Sequence, residues 1–265
     1  MMCNRSFLAV DIGNARIKLG LFRRLTEESL PEPEQILPLE GLEPPFEKIG
    51  TWLGEISPAI SSESLRWFIA SVNRPSATRL INWLGHHRPD DRVTLLSAAD
   101  LPLDVRLERP DMVGIDRLVD AVAVNRLRKP NAAAVIVDVG TAITVDLVSS
   151  YGAFCGGSIL PGLAMSARAM HEFTDLLPLV ETADMYEQPP ALGTCTEEAM
   201  RAGLFWGAVG AIRQLTEELS SCAIGTQPQI FLTGGAGVTV AKLLGPNAQH
   251  IPHLTLAGIA LSAGE

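Results

Sequence analysis

Val10-Asp11-Ile12-Gly13-Asn14-Ala15 recurs as Val137-Asp138-Val139-Gly140-Thr141-Ala142, 127 residues further along a chain of 265. An apolar run precedes each copy, Ser6–Val10 and Ala132–Asp138. A strictly alternating segment follows each. Ile17, Leu19 and Leu21 alternate with Arg16, Lys18 and Gly20, and Ile143, Val145 and Leu147 alternate with Thr144 and Asp146. A buried strand, a tight turn and a second strand of period two make a hairpin. One Asp-x-Gly turn is common and means little. Two of them, with matched flanks at half-chain spacing, imply a duplicated α/β fold with the two turns facing each other across a cleft. The expected boundary lies within 110–132, giving domains 1–115 and 116–265, bridged by a helix over Val113–Leu127 with apolar positions 115, 118, 119 and 122.

Composition supports two packed cores. Apolar residues make up 47% of the chain and charged residues 19%, which excludes a disordered chain. A net charge of −9 repels nucleic-acid backbones, so no nucleic-acid partner is expected. Cys3, Cys155, Cys195 and Cys222 are widely spaced. They fit neither a zinc site nor a disulfide framework and point to a reducing, cytoplasmic setting. No segment approaches the roughly 18 apolar residues of a membrane helix, so no membrane association is expected.

Between the repeats, Leu30–Pro45 holds five prolines and reads as a solvated loop with one short edge strand near Gln35–Leu39. Helices are expected over Phe46–Ile56, Pro75–His86, Met165–Phe173 and Glu197–Leu219, and strands over Trp67–Val72, Val93–Leu96 and Gln229–Leu232. Gly156–Gly162 reads as a glycine-rich turn before a helix. His86 and His87 are adjacent, so they cannot face one metal from a helix, and they read as solvated side chains.

The repeated turns suit a nucleoside triphosphate. Gly13 and Gly140 lack a Cβ, so backbone N–H groups can approach phosphate oxygens. Asn14 and Thr141 can add side-chain hydrogen bonds. Asp11 and Asp138 would repel phosphate and are better suited to holding a cation; Mg²⁺ usually takes one or two carboxylates plus substrate phosphates. In Gly114-Ile115-Asp116-Arg117, the glycine admits a ligand at a helix start. The helix dipole favours an ionised Asp116 there, which can accept a proton from an attacking hydroxyl. Arg117 can pair with an anionic substrate group. Gly234 and Gly235 follow a strand, where close backbone approach suits adenosine. Neither a P-loop nor a protein-kinase Lys–Asp set is present. These residues alone support an actin-like ATPase or kinase.

Taken together, the motifs resemble the type III pantothenate kinase family, over nearly the whole chain and in order. The resemblance rests on Asp11-Ile12-Gly13-Asn14 with Gly20, on Gly114–Arg117, on Asp138–Asp146, on Gly156–Gly162, and on Ala199, Met200, Gly203 and Gly207 in the Glu197–Gly207 helix. It implies two ribonuclease-H-like domains of the actin-like ATPase type, each a mixed sheet flanked by helices. It implies transfer of the γ-phosphate of ATP to the 4′-hydroxyl of pantothenate, the first step towards coenzyme A. Asp116 would be the proton acceptor. Gly114, Ile115, Asp116 and Arg117 would bind pantothenate. Asp11, Ile12, Gly13, Asn14, Ala15, Arg16, Ile17 and Lys18 would form the first ATP loop, with Thr141 a further ATP contact. Asp138 would hold a monovalent cation, K⁺ or NH₄⁺. Members are homodimers in which a threonine of the partner subunit reaches the substrate; Thr196 aligns with it.

Three positions depart from the family pattern. Ala15 stands where Thr is usual, Cys195 where Asn precedes the threonine, and Leu107 where a Tyr often lines the substrate site. They bear on affinity and substrate preference more than on reaction type. Another small-molecule kinase or a phosphatase on the same scaffold, or a non-catalytic relative with an accessory role in transcription, are the alternatives. The retained Asp116 and both Asp-x-Gly turns argue against the last.

Overall fold

The computed structural model describes residues 6–23, 29–41, 43–181, 187–223 and 227–263; Cys3 and Leu42 lie outside them. Contacts divide the chain into two units. The first takes Met1–Leu103, Glu108–Leu127 and His253–Glu265, and the second Asp104–Leu107 and Arg128–Pro252. The chain crosses between them at 103–104, 107–108, 127–128 and 252–253.

The first unit carries strands β1 (Phe7–Ile12), β2 (Arg16–Phe22), β3 (Gln35–Glu40), β4 (Arg66–Ser71) and β5 (Arg92–Leu95), ordered β3-β2-β1-β4-β5. The second carries β6 (Ala134–Val139), β7 (Ala142–Val148), β8 (Phe154–Pro161), β9 (Gln229–Gly234) and β10 (Ala248–His250), ordered β8-β7-β6-β9-β10. In each, three antiparallel strands adjoin two parallel ones. The sheets therefore share one topology. β3 lies at a sheet edge and tolerates Pro38 there.

The hairpins match in burial as well. β1 and β6 are buried throughout except at Asp11 and Asp138, which are half-buried. The turns differ by one residue. Ile12 pairs with Ile17, whereas Val139 pairs with Ile143. Gly13 N–H donates to the Arg16 carbonyl, and Gly140 N–H to that of Ala142, both at 3.1 Å. Arg16 is thus the counterpart of Ala142, and Ala15 is an extra residue in the first turn. The sequence match of Ala15 with Ala142 shifts accordingly.

Helices α1 (Glu47–Ile56), α2 (Pro58–Ser62) and α3 (Arg74–His87) join the strands of the first unit, which also holds α4 (Ile115–Leu127). Asn73 caps α3 by accepting from Ser76 N–H at 3.1 Å, with Pro75 in the first turn. The second unit holds α5 (Leu163–Glu172), α6 (Thr196–Cys222) and α7 (Gly237–Leu244), and α8 (Leu254–Leu261) returns to the first. Period-two alternation decides which face of the first sheet each helix covers. Leu8, Val10, Ile12, Ile17, Leu19 and Leu21 form one core with Ile49 and Leu53 of α1 and Leu80 and Leu84 of α3. Asp11, Lys18 and Gly20 therefore point to the opposite face, where α4 and α8 pack on β4 and β1. A Cβ on Gly20 would press on Leu256 of α8 at 3.1 Å, and one on Gly258 would collide with the Val119 carbonyl of α4. These two glycines let α8 lie close to both the sheet and α4.

Gly156–Pro161 is not a turn but part of strand β8. Gly157 opposes Asp146, where a side chain would collide with the Val145 carbonyl and the Asp146 carboxylate. Gly156 sits at φ +94° beside the register shift between Asp146 and Val148. Glycines that usually signal a turn here permit a strand to close on a buried carboxylate. His86 and His87 end α3 with ring nitrogens on the carbonyls of Asn82 and Trp83.

Candidate active site

In the first unit, β1 ends at Asp11-Ile12, Gly13, Asn14 and Ala15 form the turn, and Arg16, Ile17 and Lys18 open β2. The ladder puts Lys18 directly across from Asp11, and both face α4 and α8. Asn14 and Ala15 are exposed at the tip, while Ile12 and Ile17 are core. Asp11 has a pKa raised to about 6, chiefly by burial and further by the charge of Asp116; Lys18 and Arg16 pull it down. Asp11, Lys18, Arg16 and Asp116 thus share one electrostatic neighbourhood, which a sequence separation of about a hundred residues hides.

Gly114, Ile115, Asp116 and Arg117 open α4. Ile115 is buried and anchors the helix. The Asp116 carboxylate accepts from the Arg117 N–H at 2.8 Å, and Arg117 N–H also lies 3.2 Å from the Gly114 carbonyl. A Cβ on Gly114 would run into that carboxylate. The glycine therefore leaves space beside the charged oxygens at a helix start, where the dipole favours the ionised form.

In the second unit, Asp138 lies between two glycines. A Cβ on Gly140 would stand 3.4 Å from its Oδ2, and one on Gly234 would stand 2.5 Å from its Oδ1. Gly234 ends β9 beside β6 and takes φ +87°, a conformation that strongly favours glycine. Thr141 follows Gly140, and its carbonyl accepts from Gly162 N–H at 3.1 Å. Gly235 is exposed at the start of the turn into α7. Asp138, Gly140, Thr141, Gly234 and Gly235 thus gather at the ends of β6 and β9. Thr196 is exposed at the first residue of α6, after Cys195 at the N-cap. Leu107 is in the segment that pairs with Phe154, and its Cδ2 lies against Gly156.

One residue of this neighbourhood escaped the sequence reading. His250, in the three-residue strand β10, packs on Gly237, and the Gly234 backbone bears on the protonation of its ring. A strand so short carries no readable periodicity.

The donor chemistry fits hard cations. Asp11 and Asp138 supply carboxylate oxygens, and the raised pKa of Asp11 marks a carboxylate that a bound cation would help to ionise. Among the described residues no group of three or more His, Cys, Asp or Glu could hold a metal ion.

The family model for type III pantothenate kinase matches residues 7–218. The chain belongs to the type III pantothenate kinase family. It is 30% identical to a type III pantothenate kinase of Dehalococcoides mccartyi, over 97% of both chains. It is 31% identical to one of Alkalilimnicola ehrlichii, over 98% of both. As a member of the family it is an ATP-dependent phosphotransferase. Solved structures with the same fold include an ethanolamine utilization protein of Carboxydothermus hydrogenoformans, at 14% identity and TM-score 0.54, covering 97% of this chain and 89% of that one. Another is a putative 2-dehydro-3-deoxygalactonokinase of Sinorhizobium meliloti, also at 14% identity and TM-score 0.54, covering 97% of this chain and 98% of that one. These likenesses show the fold alone, two units that each carry a mixed sheet flanked by helices. Among the described residues, no helix is long and apolar enough to cross a membrane, and Cys155, Cys195 and Cys222 are free thiols.

Proposed function

We propose that the protein transfers the γ-phosphoryl group of ATP to the 4′-hydroxyl of pantothenate in the cytoplasm. The observation that carries this reading is that the charge of Asp116, at the start of α4, bears on Asp11 at the end of β1. Asp116 is the proton acceptor. As the substrate hydroxyl attacks phosphorus, its proton passes to the Asp116 carboxylate, the new O–P bond forms, and the bond to the ADP oxygen breaks. Gly114, Ile115 and Arg117 seat pantothenate, with Arg117 facing its carboxylate.

Gly13, Asn14 and Ala15 present backbone N–H groups to the phosphates, and Arg16 and Lys18 add positive charge. Ile12 and Ile17 anchor the loop in the core. Thr141 adds a phosphate contact, and Gly234 and Gly235 lie against adenosine. Asp11 holds Mg²⁺, and Asp138 holds K⁺ or NH₄⁺. When bound, these cations neutralise charge that builds on the phosphate oxygens.

A homodimer completes the reading, with Thr196 of the partner subunit reaching the substrate. The exposed position of Thr196 supports it, as does exposed apolar surface at Phe173, Leu176 and Leu179 after α5. Leu107, in place of an aromatic residue, tunes the fit of the substrate.

The test is a coupled assay with pantothenate, ATP, Mg²⁺ and K⁺, with the product identified by mass. 4′-Phosphopantothenate is the expected product, and replacement of K⁺ by Na⁺ should depress the rate. Absence of phosphorylated product at high ATP overturns the reading.

A further inference from the structure

The turn that joins β9 to α7 contains Gly234, Gly235 and Gly237, and flexible glycines must be restrained if a loop is to hold one shape. Gly234 is already at φ +87° against Asp138. The remaining restraint comes from β10. Its register places His250 beside Leu232, and Ile251 N–H donates to the Leu232 carbonyl at 2.8 Å. The His250 backbone is therefore fixed two residues before Gly234. Its ring reaches forward to the first residue of α7, where a Cβ on Gly237 would stand 2.9 Å from Cδ2 and 3.3 Å from Nε2. The Gly234 backbone also bears on the ring, opposing the effect of burial on its protonation. The ring thus packs on one end of the turn and lies within electrostatic reach of the other.

We propose that His250 is a positioning residue for the nucleotide: its imidazole clamps the Gly234–Gly237 turn in the shape that receives adenosine. Half-burial lowers the ring's pKa, so the neutral form prevails near pH 7, with one N–H to donate. In this clamp that single donor serves the Gly234 carbonyl. Gly237 is required because a side chain there would displace the ring. This inference rests on the assignment of Gly234 and Gly235 to adenosine.

His250→Ala should raise the KM for ATP about five-fold, the scale of one neutral hydrogen bond. The kcat and the KM for pantothenate should stay near their original values. His250→Asn, whose amide offers N–H groups to the same carbonyl, should recover part of the loss. Gly237→Ala should cause a similar rise in the KM for ATP in the presence of His250 and little further rise in the His250→Ala background. An unchanged KM for ATP in His250→Ala, or full additivity with Gly237→Ala, overturns the inference. Titration with a fluorescent ATP analogue separates it from the substrate assignment, because it requires no pantothenate. A chain that binds the analogue in a His250-dependent way but phosphorylates no pantothenate retains the clamp and loses the substrate. A chain that phosphorylates pantothenate with nucleotide affinity indifferent to His250 loses the clamp alone.

Discussion

The charge of Asp116, on the first turn of α4, bears on Asp11 at the end of β1, and together with burial it lifts the Asp11 pKa to about 6. Burial is the larger cause, and Lys18 and Arg16 oppose both. Two carboxylates that share a site with a raised pKa commonly mark acid–base or cation chemistry.

The raised pKa gives a stability prediction with a definite sign. The folded chain holds the Asp11 proton to about pH 6, whereas the unfolded chain releases it near the ordinary carboxylate value of 3.8. Over that window the native state binds more protons, so this group's contribution falls as pH rises. Its stabilisation is complete below the unfolded value and is lost through about pH 6. Asp11→Asn removes the linkage. The melting temperature of the variant minus that of the parent, measured without Mg²⁺ or nucleotide, should rise from pH 4 to pH 6.5. With substrates present, the KM for MgATP of the parent should increase as pH drops below 6, because a proton then competes with the cation. A flat difference in melting temperature across that window would remove the shift.

Much of this neighbourhood was legible in the sequence. The Asp-x-Gly repeat and its alternating flanks locate both hairpins, because a period of two survives wherever one strand face is buried. The Gly114–Arg117 segment locates the start of α4, because a helix start needs little more than local chemistry. Other features depend on contacts distant in sequence. Gly157 reads locally as a turn, yet it permits strand β8 to close on Asp146. The return of α8 depends on Gly20 and Gly258, whose roles appear only once Leu256 and Val119 are adjacent to them. The extra residue at Ala15 is invisible until the ladder shows Ile12 opposite Ile17 and Val139 opposite Ile143.

Gly114 and Asp116 can be separated from general packing. Asp116→Asn keeps the shape of the side chain and removes the proton acceptor, so kcat should drop by about 10²-fold or more, with the KM for ATP little altered. Gly114→Ala introduces a methyl whose nearest contact is the Asp116 carboxylate, with Val72 Cγ1 at 3.5 Å. The carboxylate can move, so the fold should survive with a melting temperature close to that of the parent. Its displacement should nonetheless lower kcat by about ten-fold, since a misplacement of about 1 Å can cost 10²-fold. Steady-state rates and thermal melts on the same preparations decide the matter. An unaffected kcat in Asp116→Asn removes its catalytic role.

Gly234 and Gly245 form a matched pair for the role of Asp138. Both adopt left-handed backbone, at φ +87° and φ +103°. A Cβ at Gly245 meets nothing within 4 Å, whereas one at Gly234 lies 2.5 Å from Asp138 Oδ1 and 2.5 Å from the Val139 carbonyl. Gly245→Ala should therefore cost only backbone strain, about 1–3 kcal/mol, visible as a lower melting temperature with ordinary kinetics. Gly234→Ala should cost more, because the methyl must also push β6 or the carboxylate aside. The distinguishing result is kinetic. If Asp138 holds K⁺, Gly234→Ala should weaken the response of the rate to K⁺ and raise the KM for ATP, and Gly245→Ala should change neither. Equal K⁺ responses in the two variants, each measured at a temperature well below its own melt, would leave Asp138 as a structural carboxylate beneath the turn rather than a cation ligand.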